Sequence, residues 1–189
     1  MFKNISDFFL RIADWKTFGA ALCVYMVFGG YIMPHGLATL QQMNGKKTEV
    51  LDLQFSYTPE KAHAILSEYT DQSRDYAARF ELIADGLYPI SYTFLFLIMM
   101  AWLFRSLSAY GVNARYLHML PFVVMTADYS ENTGIITMLS SYPNFSDTVV
   151  RISSVFTSIK WTLLAVEGII ILTGLGMIIY YRVSGRKTA

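Results

Sequence analysis

Apolar runs and their polar interruptions set the architecture of this chain. At the N-terminus, Ile5, Phe8, Phe9, Ile12 and Trp15 recur at helical spacing, with Asp7, Arg11 and Asp14 in other positions. That pattern predicts a short amphipathic helix lying at a membrane interface. A first apolar run follows over about 18–34 and ends at Pro34. It is short for a hydrocarbon core of about 30 Å, and it reads as a span rather than a cleaved leader because an amphipathic helix precedes it and no A-x-A site follows. Three more apolar runs cover about 84–105, 115–141 and 149–181. Between the first and second runs, residues 35–83 form the one large polar segment. Thr58-Pro59-Glu60 starts a helix there: a capping hydroxyl, then a proline in the first turn, then an acid at the positive end of the dipole. Ala62, Ile65, Leu66, Tyr69, Tyr76 and Phe80 carry the helical period onward. The fold class expected is all-α. It is a single integral-membrane four-helix bundle with an N-terminal interfacial helix and an extracytoplasmic helical loop over 35–83.

The third run is broken at its centre by Asp128-Tyr129-Ser130-Glu131-Asn132. Charged side chains lose their hydration inside a bilayer, so such residues face a bundle interior or a wet cavity and mark candidate functional sites. Asp128, Glu131 and Asn132 fall at i, i+3 and i+4, on one side of a helix. In the fourth run Lys160 and Glu167 are seven apart and share a stripe with Ser153. In the second run Asp85, Tyr88 and Tyr92 share a face. Counting about 1.5 Å per residue from the cytoplasmic basic residues puts Asp128 roughly 20 Å and Glu167 roughly 22 Å up, with Asp85 and Lys160 roughly 30 Å up. Turning all three stripes inward predicts a polar cavity in the outer half of the membrane.

Composition agrees with a membrane protein: 54% of positions are hydrophobic and 15% charged. The net charge of +1 gives no reason to expect nucleic acid. Basic residues alternate as four spans require. Lys3, Arg11 and Lys16 precede the first run, Arg105 and Arg115 flank the second loop, and Arg182, Arg186 and Lys187 close the chain. Both termini are therefore expected in the cytoplasm, in a plasma (inner) membrane. The lone Cys23 excludes an internal disulfide. His35, His63 and His118 cannot make a paired axial set for haem across one bundle, and no glycine loop for a nucleotide is visible.

The polar stripes carry the candidate chemistry. Carboxylates converging in a low dielectric cannot all ionise cheaply, which suits acid–base work, with Asp128 and Glu131 as its central groups. Asp85, Tyr88, Tyr92, Asn132, Lys160 and Glu167 are the expected binding residues around them. No set fixes a metal firmly, although Asp128, Glu131 and Glu167 could carry one. The expected function is binding of a lipid, amphiphile or ion in this outward-facing cavity, with acid–base chemistry left open. The alternative is an auxiliary or assembly subunit of a larger membrane complex, its polar stripes serving as interhelical contacts. The bilayer is the one partner the sequence implies outright.

The segments DLQFSYTPEKAHAIL, SRDYAARFELIADGLYPISY, MTADYSENTGI and SSVFTSIKW together resemble a group of small four-span membrane proteins, over residues 51 to about 170. The shared motifs are D-x-x-Y-P-x-x-Y from Asp85, D-x-x-E-N from Asp128 and F-T-x-x-K-W ending at Trp161. The resemblance implies the fold alone, since no activity is known to carry over. Families of disulfide-generating four-span oxidoreductases and of lipoprotein signal peptidases are not matched. The paired cysteines of the first are missing and the asparagine–aspartate pattern of the second is not reproduced.

Overall fold

The computed structural model describes residues 2–112 and 116–184, and among these every regular element is helical. Seven α-helices are used below: α1 (Phe2–Ile12), α2 (Trp15–Val27), α3 (Met33–Asn44), α4 (Pro59–Ser67), α5 (Asp71–Ser108), α6 (Leu120–Ser141) and α7 (Asp147–Val183). Three stretches are long and apolar enough to cross a membrane: Trp15–Asn44, Asp71–Ser108 and Asp147–Val183. The fourth expected span, α6, is not among them, because Asp128, Glu131, Asn132 and its serines and threonines dilute its hydropathy. Arg115, Arg186 and Lys187, used above for orientation, lie outside the described residues.

The first span differs from its sequence reading. Pro34 does not end it: a π-helical turn, Phe28–Ile32, links α2 directly to α3. In that turn the Met33 amide reaches back five residues to Phe28 O, so the hydrogen-bond ladder is already shifted where Pro34 enters without an N–H. The helix therefore runs on to Asn44, where Gly45 at φ +65° closes it in the left-handed conformation. Pro89 is likewise carried inside α5.

α5 is the central helix, with 61% of its most apolar window buried, against 22% for α7 and 6% for the first span. The exposed faces of the first span and α7 are largely apolar, including Val24, Met26, Val27 and Tyr31 of the first and Ile169, Leu172 and Ile179 of the second. α6 and α7 form a close antiparallel hairpin. At Gly134 an added Cβ would lie 2.5 Å from the Ser153 side chain, so glycine is what lets the two backbones approach.

The interfacial helix does not lie free. Phe9 of α1 packs with Leu97, Ile98 and Ala101 of α5 and with Met119. His118 is buried with Nε2 3.0 Å from the Ser6 hydroxyl. At the opposite end of the hairpin, residues 51–69 form a cap. Leu51, Tyr57, Ile65, Leu66 and Tyr69 pack on Ile135, Met138, Leu139, Phe145 and Val150. Arg74 fastens this cap by donating to Leu66 O (2.7 Å) and Tyr69 O (3.1 Å) while covering the Tyr142 ring. The polar segment is thus built onto the bundle rather than suspended beside it.

Candidate functional site

The cap and the three longest-packed helices meet in a buried polar layer with two parts. The first part joins α5, α6 and α7. Asp128 accepts from the Tyr92 hydroxyl at 2.6 Å and from Lys160 Nζ at 3.3 Å. Lys160 Nζ also forms a close ion pair with Glu131 Oε2 at 2.5 Å. The other Glu131 oxygen accepts from Thr157 Oγ1 at 2.9 Å, and Ser153 Oγ donates to the Glu131 carbonyl at 3.0 Å. Tyr57 of the cap closes the group, its hydroxyl donating to Ser153 Oγ and its peptide N–H to Ser154 Oγ, both at 2.8 Å. Glu131 is completely buried. One ammonium shared by two carboxylates, each further bonded to a hydroxyl, is how charge can persist in such a place.

The second part joins the cap to α5 and α6. Asn132 Nδ2 donates to Asp85 Oδ2 at 2.9 Å and points toward the Asp85 carbonyl at 3.4 Å. Asp85 in turn belongs to a trio with Glu81 and Asp52, whose nearest carboxylate oxygens all lie within 4.8 Å of one another. Asp52 sits on the single turn Leu51–Leu53, which Trp161 of α7 pins by donating from Nε1 to Asp52 O at 3.2 Å. Burial pushes the Asp52 carboxyl up from its ordinary value of 3.8; Lys160 opposes the rise and Asp128 adds to it. The two parts of the layer are therefore electrostatic neighbours.

A cavity of about 290 Å³ opens beside the trio. Its walls are apolar, among them Leu37 and Leu40 of α3, Ala77 and Phe80 of α5, and Leu139 of α6, while Asp52 and Glu81 supply its acidic end. Neither Asp128, Glu131 nor Lys160 lines it.

The structure brings some of the expected site residues together and separates others. Asp128 and Glu131 do share one face with Lys160. Lys160, however, pairs with them and not with Asp85 at a cavity mouth. Depth counted from distant basic residues accumulated error over each helix. Counted from the short hairpin turn, Asp128 is thirteen residues before the end of α6 and Lys160 thirteen after the start of α7, which gives the observed pairing. Asn132 serves Asp85 rather than Asp128 or Glu131. Tyr88 reaches this layer through its ring, which packs edge-on against Tyr92 with centroids 5.3 Å apart and stacks on Tyr25 of α2 at 6.1 Å. Glu167 is 1% exposed with no hydrogen-bond partner on either carboxylate oxygen, so it joins neither part. A metal shared by Asp128, Glu131 and Glu167 is not favoured, because Lys160 occupies the position between the first two and Glu167 stands apart.

Sequence reasoning missed Asp52, Glu81, Tyr57 and Ser154. Glu81 was accessible to it, since Glu81 and Asp85 fall at i and i+4 on one helical face. Asp52, flanked by Leu51 and Leu53, was the lone acid in an apolar tetrapeptide. Only folding of the cap brings it to α5.

No family model matches the chain, and no curated protein or solved structure is similar to it.

Proposed function

We propose that this is an integral membrane protein that binds an amphiphile, with the apolar body in the cavity between α3, α5 and α6 and the polar head at Asp52 and Glu81. The observation that carries this reading is the shape and polarity of that cavity, apolar along its walls and acidic at one end. A pocket of this kind, mostly hydrophobic with a few convergent polar groups, is the usual form of a small-molecule site. In this reading Asp128, Glu131 and Lys160 act as an interhelical clamp that fixes α6 and α7 behind the site. Acid–base chemistry, if the bound molecule is turned over, falls to Asp52 and Glu81, which line the cavity, with Asp85 beside them.

We further propose that α6 is the fourth span. At 22 residues it is about 33 Å long, enough for the hydrocarbon core. Its acids are compensated by Lys160, Tyr92 and Thr157 on neighbouring helices, which removes the main cost of placing them in lipid. Four spans put both termini on one side, cytoplasmic by the distribution of basic residues, and the cap on the outer face of a plasma (inner) membrane.

The test is native mass spectrometry of the chain extracted with its lipids, compared with Ala77→Phe, which fills the cavity. A discrete adduct on the wild type, at least tenfold less occupied in Ala77→Phe, is expected. An adduct that persists in Ala77→Phe sinks the cavity reading. A bare chain, or one carrying another polypeptide in both forms, transfers the weight to an auxiliary subunit.

A further inference from the structure

Three carboxyl groups from two separate elements, the Leu51–Leu53 turn and α5, converge behind the cavity. An acidic cluster alone can be a set of protonated acids bonded to one another. The neighbouring amide argues otherwise. Asn132 is 3% exposed, and its Nδ2 is held against Asp85 Oδ2 at 2.9 Å, yet its Oδ1 has no hydrogen-bond partner. Glu81 Oε2 is also a buried oxygen without a partner. A buried acceptor left unsatisfied costs about 1–3 kcal/mol; one of these belongs to the trio and the other to the amide bonded to it, and an electrophile bound there would satisfy both.

Among the described residues, no basic side chain forms an ion pair with the trio. The lysine electrostatically closest to the trio, Lys160, is committed to Asp128 and Glu131. One oxygen from each of the three carboxylates lies within 4.8 Å of the others, close enough for a single ion to touch all three. All four groups offer hard oxygen atoms, with no imidazole or thiolate among them. Such a set selects magnesium, calcium or manganese over zinc or copper.

We propose that Asp52, Glu81 and Asp85, with the Asn132 amide oxygen as a neutral fourth ligand, form a site for a hard divalent cation at the acidic end of the cavity. The site is distinct from the Asp128–Lys160–Glu131 clamp. Because Asp52 and Glu81 also line the cavity, the cation borders it and favours a bound molecule whose head offers oxygen atoms.

The experiment is Mn²⁺ titration of the full chain in nanodiscs after stripping with EDTA, followed by electron paramagnetic resonance of the free ion. The expected result is one Mn²⁺ per chain, displaced by excess Mg²⁺ or Ca²⁺. Asp52→Asn/Glu81→Gln should weaken binding at least tenfold, whereas Glu167→Gln, a buried acid outside the group, should leave it unchanged. Thermal unfolding guards against a misfolded variant. Mn²⁺ should raise the midpoint of the wild type and not of the double variant, which should itself unfold above the EDTA-treated wild type because two uncompensated acids are gone. Absence of stoichiometric Mn²⁺ on the wild type, unchanged binding in the double variant, or equal loss in Glu167→Gln would each overturn the proposal. A double variant that unfolds below the EDTA-treated wild type would do so as well, by making the acids structural. The titration contains no amphiphile, so its failure and that of the cavity reading are separable.

Discussion

Lys160 holds two carboxylates that cannot both stay charged without it. Replacing it with methionine keeps most of the side-chain volume and leaves Asp128 and Glu131 unpaired, which should cost about 3–5 kcal/mol. Chemical unfolding in detergent measures this, and adding Glu131→Gln to Lys160→Met should restore part of the loss. Glu167 presents the opposite case, a buried carboxyl with nothing to pair with. Glu167→Met should raise stability by about 1–3 kcal/mol, since it removes an unsatisfied group without opening a hole. A fall in stability there would mean that Glu167 has a partner in the working protein. Asp52 sets a pH dependence. Its carboxyl binds a proton more tightly in the fold than in the unfolded chain. Its contribution is therefore full below its ordinary value of 3.8 and lost as pH rises through the higher folded value. In EDTA, the thermal midpoint should fall with rising pH over this window, and Asp52→Asn should flatten the fall.

Among the elements, the α6–α7 hairpin decides the register of the polar layer. Gly134 over Ser153 sets how closely the two helices pack, and the contact between Thr157 and Glu131 follows from that closeness. Gly134→Val should separate the helices and destabilise the fold by about 1–3 kcal/mol, the range for overpacking. Gly168→Ala, where an added Cβ meets nothing within 4 Å, is the matched control and should be neutral or slightly stabilising. Differential scanning of both variants distinguishes a packing requirement from a general sensitivity of α6 and α7. The first span makes a related point. Its apolar run is short by sequence because Pro34 looks like a stop, and the π-turn over Phe28–Ile32 is what carries the helix past it. That turn depends on the hydrogen bonds of a formed helix, and no local residue pattern announces it.

For the whole molecule, the number of crossings is the property that most constrains function. Four crossings place Lys47, between α3 and the cap, and the two termini on opposite faces of the membrane. Lys47→Cys, in a Cys23→Ser background, should be labelled from outside intact cells by a membrane-impermeant maleimide, while a C-terminal tag stays protected. Three crossings would put the termini on opposite sides, and a tag accessible from outside would show it. The cap itself is tied into the bundle through Tyr57, Trp161 and Arg74. Motion of the cap would therefore disturb the trio and the cavity together.

By itself the sequence determined the all-helical class, the apolar runs within the three helices able to cross a membrane, and the identity of most of the expensive polar residues, while its fourth run, α6, falls short of that measure. Those follow from local quantities: hydropathy, helical period and the cost of desolvating a charge. It also placed Asp128 with Glu131 on one face, because i and i+3 adjacency is a property of a single helix. Pairings between helices were not local. Which acid Lys160 meets depends on the register across the hairpin, and which residue Asn132 meets depends on how α5 lies against α6. Asp52 is the extreme instance, a residue of the polar segment that becomes part of the carboxyl trio only when the cap folds down. The acidic end of the cavity was thus beyond any count along the chain, since no single element contains it.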